Sequence, residues 1–216
     1  MQRRKHPTRS TCSCRFEKEI YRKGYIRVAG IDEVGRGALS GPVIAAAVIL
    51  DPARIPDGID DSKKLSVKKR ENLYEDILHT AVAWGIGQVG SELIDQEDIL
   101  KATRRAMTEA VRQLSPCADF LLIDAVPLHS VELPQKAIIK GDTVSVSIAA
   151  ASIVAKVTRD RIMMEFDRIY PQYCFGQNKG YGTRKHLESL RRFGPSPIHR
   201  RTFRPVYQLD LKLVFP

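Results

Sequence analysis

The sequence predicts an α/β fold: a mixed central β-sheet flanked by helices, with a small basic helical appendage at its C-terminal end. Three observations predict it. Two short β-branched runs stand near the start, before any strong helical pattern, and later strands are interleaved with helices, which argues against a purely parallel doubly wound sheet. The chain has 216 residues, 43% of them hydrophobic, enough for one sizeable core but not for two full domains.

Taken in order, residues 1–24 read as a basic, flexible leader with little to bury, so order should begin near Tyr25. Residues 25–178 form the main domain, and 179–216 an appendage packed on it. Ile26 to Ile31 and Val43 to Leu50 are apolar runs joined by Gly35-Arg36-Gly37-Ala38-Leu39-Ser40-Gly41, which reads as two paired strands and their turn. Ser66 caps a helix carrying Leu73, Ile77 and Leu78 on one face. Ala81 to Val89 alternates as a third strand, weakened by Gly85, Gly87 and Gly90. Ile99, Thr103, Ala106, Met107, Ala110 and Leu114 set one helix over 96–114, which Ser115-Pro116 stops. Phe120 to Ile123 is a buried strand and Ala137 to Ile139 another. Lys140-Gly141-Asp142 then leads into a helix reaching Ile169, whose Ala149-Ala150-Ala151-Ser152 patch allows close packing on a sheet. Lys179-Gly180-Tyr181-Gly182 is a turn, and Thr183 caps a short helix with Leu187 and Leu190 inward.

The net charge of +10 is unevenly placed. Residues 1–27 hold nine Lys/Arg against two acids and 179–204 hold eight against one, whereas 28–178 sum to −4. Basic ends around an acidic middle suit a polyanion gripped at its phosphates, or simply a solvated tail and a basic surface helix. The longest apolar stretch, Val43 to Leu50, is far short of the ~18 residues of a membrane span. With no apolar h-region near the start, a cytoplasmic location is expected. The cysteines at 12, 14, 117 and 174 have no zinc-ligand spacing and are expected to be reduced and incidental.

The carboxylates carry the chemistry. Asp32 and Glu33 follow directly on Val28-Ala29-Gly30-Ile31, and Asp124 on Phe120-Leu121-Leu122-Ile123. If the two strands are neighbours, these acids converge at one sheet edge, where burial is offset by bound cations. Oxygen-only ligation with no His or Cys nearby selects Mg²⁺ or Mn²⁺ over zinc. Successive side chains on a strand oppose each other, so Asp32 is expected as the principal ligand, with Glu33 reaching in from the loop or lending its carbonyl. Asp142 reads equally as an N-cap with Ser145 three residues on. Asp160 beside Arg159 reads as a surface ion pair, and Asp60-Asp61-Ser62-Lys63-Lys64 as a phosphate-contacting or solvated loop.

Several motifs, in fixed order over about 28–206, resemble the ribonuclease HII (type 2 ribonuclease H) family. They are Gly30-Ile31-Asp32-Glu33-Val34-Gly35-Arg36-Gly37 with Gly41-Pro42, Asp61-Ser62-Lys63-Lys64-Leu65-Ser66, Leu122-Ile123-Asp124, Lys140-Gly141-Asp142, Ala150 to Asp160, Lys179-Gly180-Tyr181-Gly182-Thr183, and His199 to Val206. The resemblance implies a ribonuclease H-like fold and an acidic quartet on Asp32, Glu33, Asp124 and Asp142 that holds two Mg²⁺ or Mn²⁺ ions. It implies that backbone groups of Gly35-Arg36-Gly37 read a ribose 2′-hydroxyl, and that Tyr181 stacks on the following deoxyribose. Ser62, Lys63, Lys156, Arg184 and Lys185 become candidate substrate contacts. The main domain is then catalytic and the appendage substrate-binding. The implied substrate is the RNA strand of an RNA/DNA hybrid, or duplex DNA with embedded ribonucleotides cut on their 5′ side, by a monomeric enzyme. Two positions depart from the family pattern: Ala125 stands for the usual glycine and Gly182 for the usual proline.

Two other readings compete. A nucleotide-binding Gly-rich loop fails because Ser40 stands where a third glycine belongs and no P-loop Lys-Ser/Thr follows. A non-catalytic nucleic-acid binder of the same fold has the intact acids against it.

Overall fold

The β-branched run that leads into two acids becomes β1 (Val28–Val34), and the continuous apolar runs of the strands on either side of it build the sheet. The computed structural model describes residues 12–208. Its five strands are β1, β2 (Val43–Ile49), β3 (Ala83–Val89), β4 (Phe120–Asp124) and β5 (Gln135–Ile138), in spatial order β3-β2-β1-β4-β5. β1 pairs antiparallel with β2 and parallel with β4, so the sheet is mixed. The last strand begins two residues earlier than its apolar pattern suggested, and Ile139 beyond it is 83% exposed.

Every residue of β2 is buried because both sheet faces are covered. On one face Ala45, Ala47 and Ile31 meet Ala102, Ala106, Met107 and Ala110 of α4 (Ile99–Arg112). On the other, Ile44, Ala46 and Val48 meet α2 (Val67–Thr80) and α5 (Val146–Ile169). The strand glycines are where helices come closest. A Cβ on Gly30 would lie 2.0 Å from the Ser147 carbonyl carbon, and one on Gly87 1.9 Å from Ala106 O. The glycines that weakened the β3 pattern are thus what lets α4 rest on that strand.

Four expectations are corrected. The basic leader is in part ordered: α1 (Arg15–Tyr21) buries Ile20 against Val28, Phe120, Leu122 and Ile148, while residues 1–11 lie outside the described residues. The single helix over 96–114 is two, because Asp98 at φ 106° breaks the chain between α3 (Ser91–Glu97) and α4 and caps α4 by accepting from the Leu100 and Lys101 amides. Ser145, not Asp142, caps α5, its hydroxyl accepting from Ile148 N–H. Arg159 is no surface partner of Asp160: its guanidinium is fully buried, and Asp160 pairs with Lys156 and Arg70 instead.

After α5 come the short α6 (Phe175–Asn178) and α7 (Arg184–Phe193), and the described chain runs on to residue 208. Leu190 and Val206 bury against Leu39, Met163, Tyr173 and Phe175, tying the last segment to the first hairpin. No described helix is long and apolar enough to cross a membrane, and all four cysteines are free.

Candidate active site

Parallel pairing of β1 with β4 puts Ile31 opposite Ile123. The next residues, Asp32 within β1 and Asp124 at the end of β4, therefore lie side by side on neighbouring strands, a convergence that follows from register alone. Asp32 is 5% exposed; its Oδ1 accepts from Glu33 N–H at 2.8 Å, and the Ser152 hydroxyl of α5 also hydrogen-bonds it. Asp124 Oδ1 accepts the Gly141 N–H at 2.7 Å. That bond draws in the 3-10 turn Gly141–Thr143, which carries Asp142, itself buried, with Oδ2 3.1 Å from Lys63 Nζ.

Glu33 corrects the expectation that it reaches in from a loop. It lies within β1, opposite Ala45, yet shares the cavity with Asp32. Its Oε1 accepts from Arg36 Nη1 at 2.9 Å, while Oε2 is buried with no hydrogen-bond partner among the described residues.

Burial holds Asp32 well above the ordinary carboxylate range, and the charges of Glu33 and Asp124 push it the same way. Burial raises Glu33 too, opposed by Arg36, and raises Asp124, opposed by the Gly141 N–H. Such a pocket destabilises its own anionic form unless cations enter. Oxygen-only donors and the orphaned Glu33 Oε2 suit a hard divalent ion. Among the described residues no three carboxylates are drawn into one ready coordination group, and the Lys63 ammonium stands against Asp142 as a counter-charge. The residues fit such an ion in charge and donor chemistry rather than as a finished shell.

A cavity of about 520 Å³ collects Asp32, Glu33, Gly35, Arg36, Gly37, Ser62, Lys63, Asp124, Lys156 and Tyr181, together with Val34 and Ser152. Arg184 and Lys185 line a separate cavity of about 280 Å³ with Cys174, Gln177, Asn178 and Thr183. Cys12 is not incidental: its thiol donates to Asp142 O at 3.2 Å, and burial beside Asp60 pushes it up to about 12.

Sequence reasoning missed what holds the cavity wall. Arg200, fully buried, donates to the carbonyls of Gly35 (2.7 Å), Arg36 (2.8 Å) and Gly41 (2.9 Å). Arg159 donates to Ser40, Pro42 and Lys179 carbonyls, and its guanidinium lies 5.4 Å from the Tyr181 ring centre. With their carbonyls engaged behind the loop, Gly35 and Arg36 are fixed in place, and Gly35 adopts φ 94°, open to glycine without strain. Behind Tyr181 lies a histidine pair. The Tyr181 carbonyl can only accept, so His186 Nδ1, 2.9 Å away, carries the hydrogen and its Nε2 accepts from His199 Nε2–H at 3.0 Å. His199 Nδ1 then accepts from Ser196 N–H at 2.9 Å. Both rings are neutral, and burial pushes His199 down to about 3. These groups sat in stretches read as basic surface, where charge alone hides a buried guanidinium.

The Ribonuclease HII family model matches residues 29–206. A relative named Ribonuclease HII from Syntrophus aciditrophicus is 57% identical over 189 residues, covering 88% of this chain and 89% of the relative. Among solved structures, ribonuclease H2 from Pyrococcus horikoshii OT3 aligns with a TM-score of 0.75 at 24% identity, over 88% of this chain and all of that one. Bst-RNase HIII in complex with Mn²⁺ aligns at 0.65 and 17% identity, over 87% of this chain and 70% of that one, a likeness of fold.

Proposed function

The chain belongs to the ribonuclease HII family, and from that premise we propose that this metal-dependent endoribonuclease cuts 5′ of ribonucleotides embedded in duplex DNA and hydrolyses the RNA strand of hybrids. Products carry 3′-hydroxyl and 5′-phosphate ends. One observation supports this reading above the others: the β1–β4 register that sets Asp32 beside Asp124 in a cavity walled by the Gly-Arg-Gly loop.

In this reading Asp32, Glu33, Asp124 and Asp142 hold Mg²⁺ or Mn²⁺. When bound, such ions lower the pKa of a water and stabilise charge on the leaving 3′ oxygen. The chain's own residues do the positioning. Gly35 and Gly37 let the backbone approach a ribose closely, and nothing lies within 4 Å of where a Gly37 Cβ would stand. Tyr181 offers a ring for the adjacent sugar, steadied by Arg159 and the histidine pair. Ser62, Lys63 and Lys156 face the same cavity and are proposed to take backbone phosphates. Arg184 and Lys185, in their own cavity, are proposed to take phosphates further along the duplex.

The test is a duplex carrying one ribonucleotide, incubated with Mg²⁺, Mn²⁺ or chelator. Wild type should cut once, 5′ of the ribonucleotide, and only with metal. Asp32→Asn should lose more than about 100-fold in rate, beyond the cost of an outer-shell partner. Tight binding without cutting would instead make the chain a nucleic-acid binder of the same fold, and cutting in chelator would remove the metal from the mechanism.

A further inference from the structure

We propose that the segment from Cys12 through α1 is a strap that positions Asp142; the inference rests on the reading of Asp142 as a metal ligand. This segment lies before residue 29, outside the part of the chain that the family model matches.

Five contacts join it to residues 142–147. Cys12 Sγ donates to Asp142 O at 3.2 Å. Ser13 N–H donates to Val144 O at 3.2 Å, and Val146 N–H to Ser13 O at 3.3 Å, a short parallel bridge. Glu17 Oε1 accepts from the Ser145 hydroxyl at 2.6 Å and from Ser147 N–H at 3.0 Å. Glu17 is 2% exposed. A carboxylate so deeply buried is costly unless donors meet it; both donors here belong to the start of α5, whose dipole favours an anion, and both fall on Oε1, while Oε2 has no hydrogen-bond partner among the described residues.

The turn needs such support. Lys140 enters it in the left-handed region at φ 56°, and no side chain caps its start. Asp142 itself is tied by Lys63, whose own side chain is 77% exposed. A long exposed lysine is a weak anchor for a ligand that must hold its place to a fraction of an ångström. The strap holds the turn at the Asp142 carbonyl and holds the residues that follow it, Val144 to Ser147. Its far end is fixed by Ile20 among Val28 of β1 and Phe120 and Leu122 of β4, so one element references Asp142 to the two strands that carry Asp32 and Asp124.

The experiment measures Mn²⁺ binding to the full chain by calorimetry, alongside thermal melts, for wild type, Glu17→Ala, Glu17→Gln, Ser13→Pro and Asp142→Asn. Glu17→Ala should weaken Mn²⁺ about tenfold. Glu17→Gln, which keeps an acceptor for Ser145 and Ser147, should restore most of that affinity. Ser13→Pro deletes the N–H given to Val144 at an exposed position, so it should fold and still weaken Mn²⁺ several-fold; it decides the matter if Glu17→Ala does not fold. A lower melting temperature with wild-type Mn²⁺ affinity in the strap variants would make the segment a plain structural cap and overturn the proposal. If Asp142→Asn alone weakens binding, only the strap is refuted. If Asp142→Asn changes neither binding nor cleavage, the ligand assignment fails and the strap's role goes with it.

Discussion

Ala125 shows how a single departure from a family pattern acquires a physical meaning. It follows Asp124 directly and sits at φ 53°, a left-handed conformation that a Cβ disfavours by roughly 1–2 kcal/mol. Its N–H nevertheless donates to Ile138 O at 3.0 Å, so the chain holds the conformation to keep β4 against β5. Ala125→Gly should therefore stabilise the fold by about 1 kcal/mol, the relief of strain less the extra freedom of an unfolded glycine. Urea melts check this; an unchanged or lower midpoint would mean the alanine is not strained. Asp32, Glu33 and Asp124, which share one cavity, were legible as candidates because each follows an apolar run. Ser152 was legible only as a small packing residue, since nothing in a stretch of alanines says which side chain meets an acid on a strand.

At the scale of elements, α5 decides both packing and chemistry. It lies on β1 at Gly30 and brings Ser152 to Asp32, so Gly30→Ala should push helix and acid apart. Gly87→Ala raises the same steric problem between β3 and α4, away from the acids. Both should cost about 1–3 kcal/mol of stability as overpacked sites. Cleavage under conditions where each variant is folded should fall steeply for Gly30→Ala and stay near wild type for Gly87→Ala. Equal activities would show that the β1–α5 spacing does not matter to the site. Strands and the long helix were readable from periodicity. The break at Asp98 and the order in α1 were not, because the first is a backbone reversal with continuous helical spacing on either side. The second is a short helix in a basic stretch that gains its place only by burying Ile20 in a core built elsewhere in the chain.

At the scale of the molecule, the last described segment is fastened to the first hairpin by buried polar groups rather than by area alone. Arg200 carries that junction through the Gly35, Arg36 and Gly41 carbonyls, and His199 sits beside it, bridged to Ser40 by backbone and paired with His186. His199 is neutral when folded and pushed down to about 3, against 6.5 when unfolded. Its contribution to stability is thus complete above about pH 6.5 and is lost as pH falls from there toward 3, because the unfolded chain takes up a proton that the folded one refuses. His186 shifts in the same direction. Between pH 7 and 5, wild type should lose more stability than His199→Gln, measured by urea midpoints; parallel slopes would mean that the pair titrates freely in the fold.

The sequence by itself determined the mixed α/β class and the acids that follow its apolar runs, with their oxygen donors, since periodicity and residue type are local and survive without a structure. Only the tertiary structure decided that β1 and β4 are parallel neighbours, that Glu33 shares the cavity from within the strand, and that Arg159 and Arg200 are buried donors to the cavity wall. It also showed that residues 12–21 belong to the fold. The physical reason is the same in each case: a charge or a short helix has no fixed fate in sequence. Whether it is solvated or buried depends on acceptors and apolar surface supplied from a hundred or more residues away.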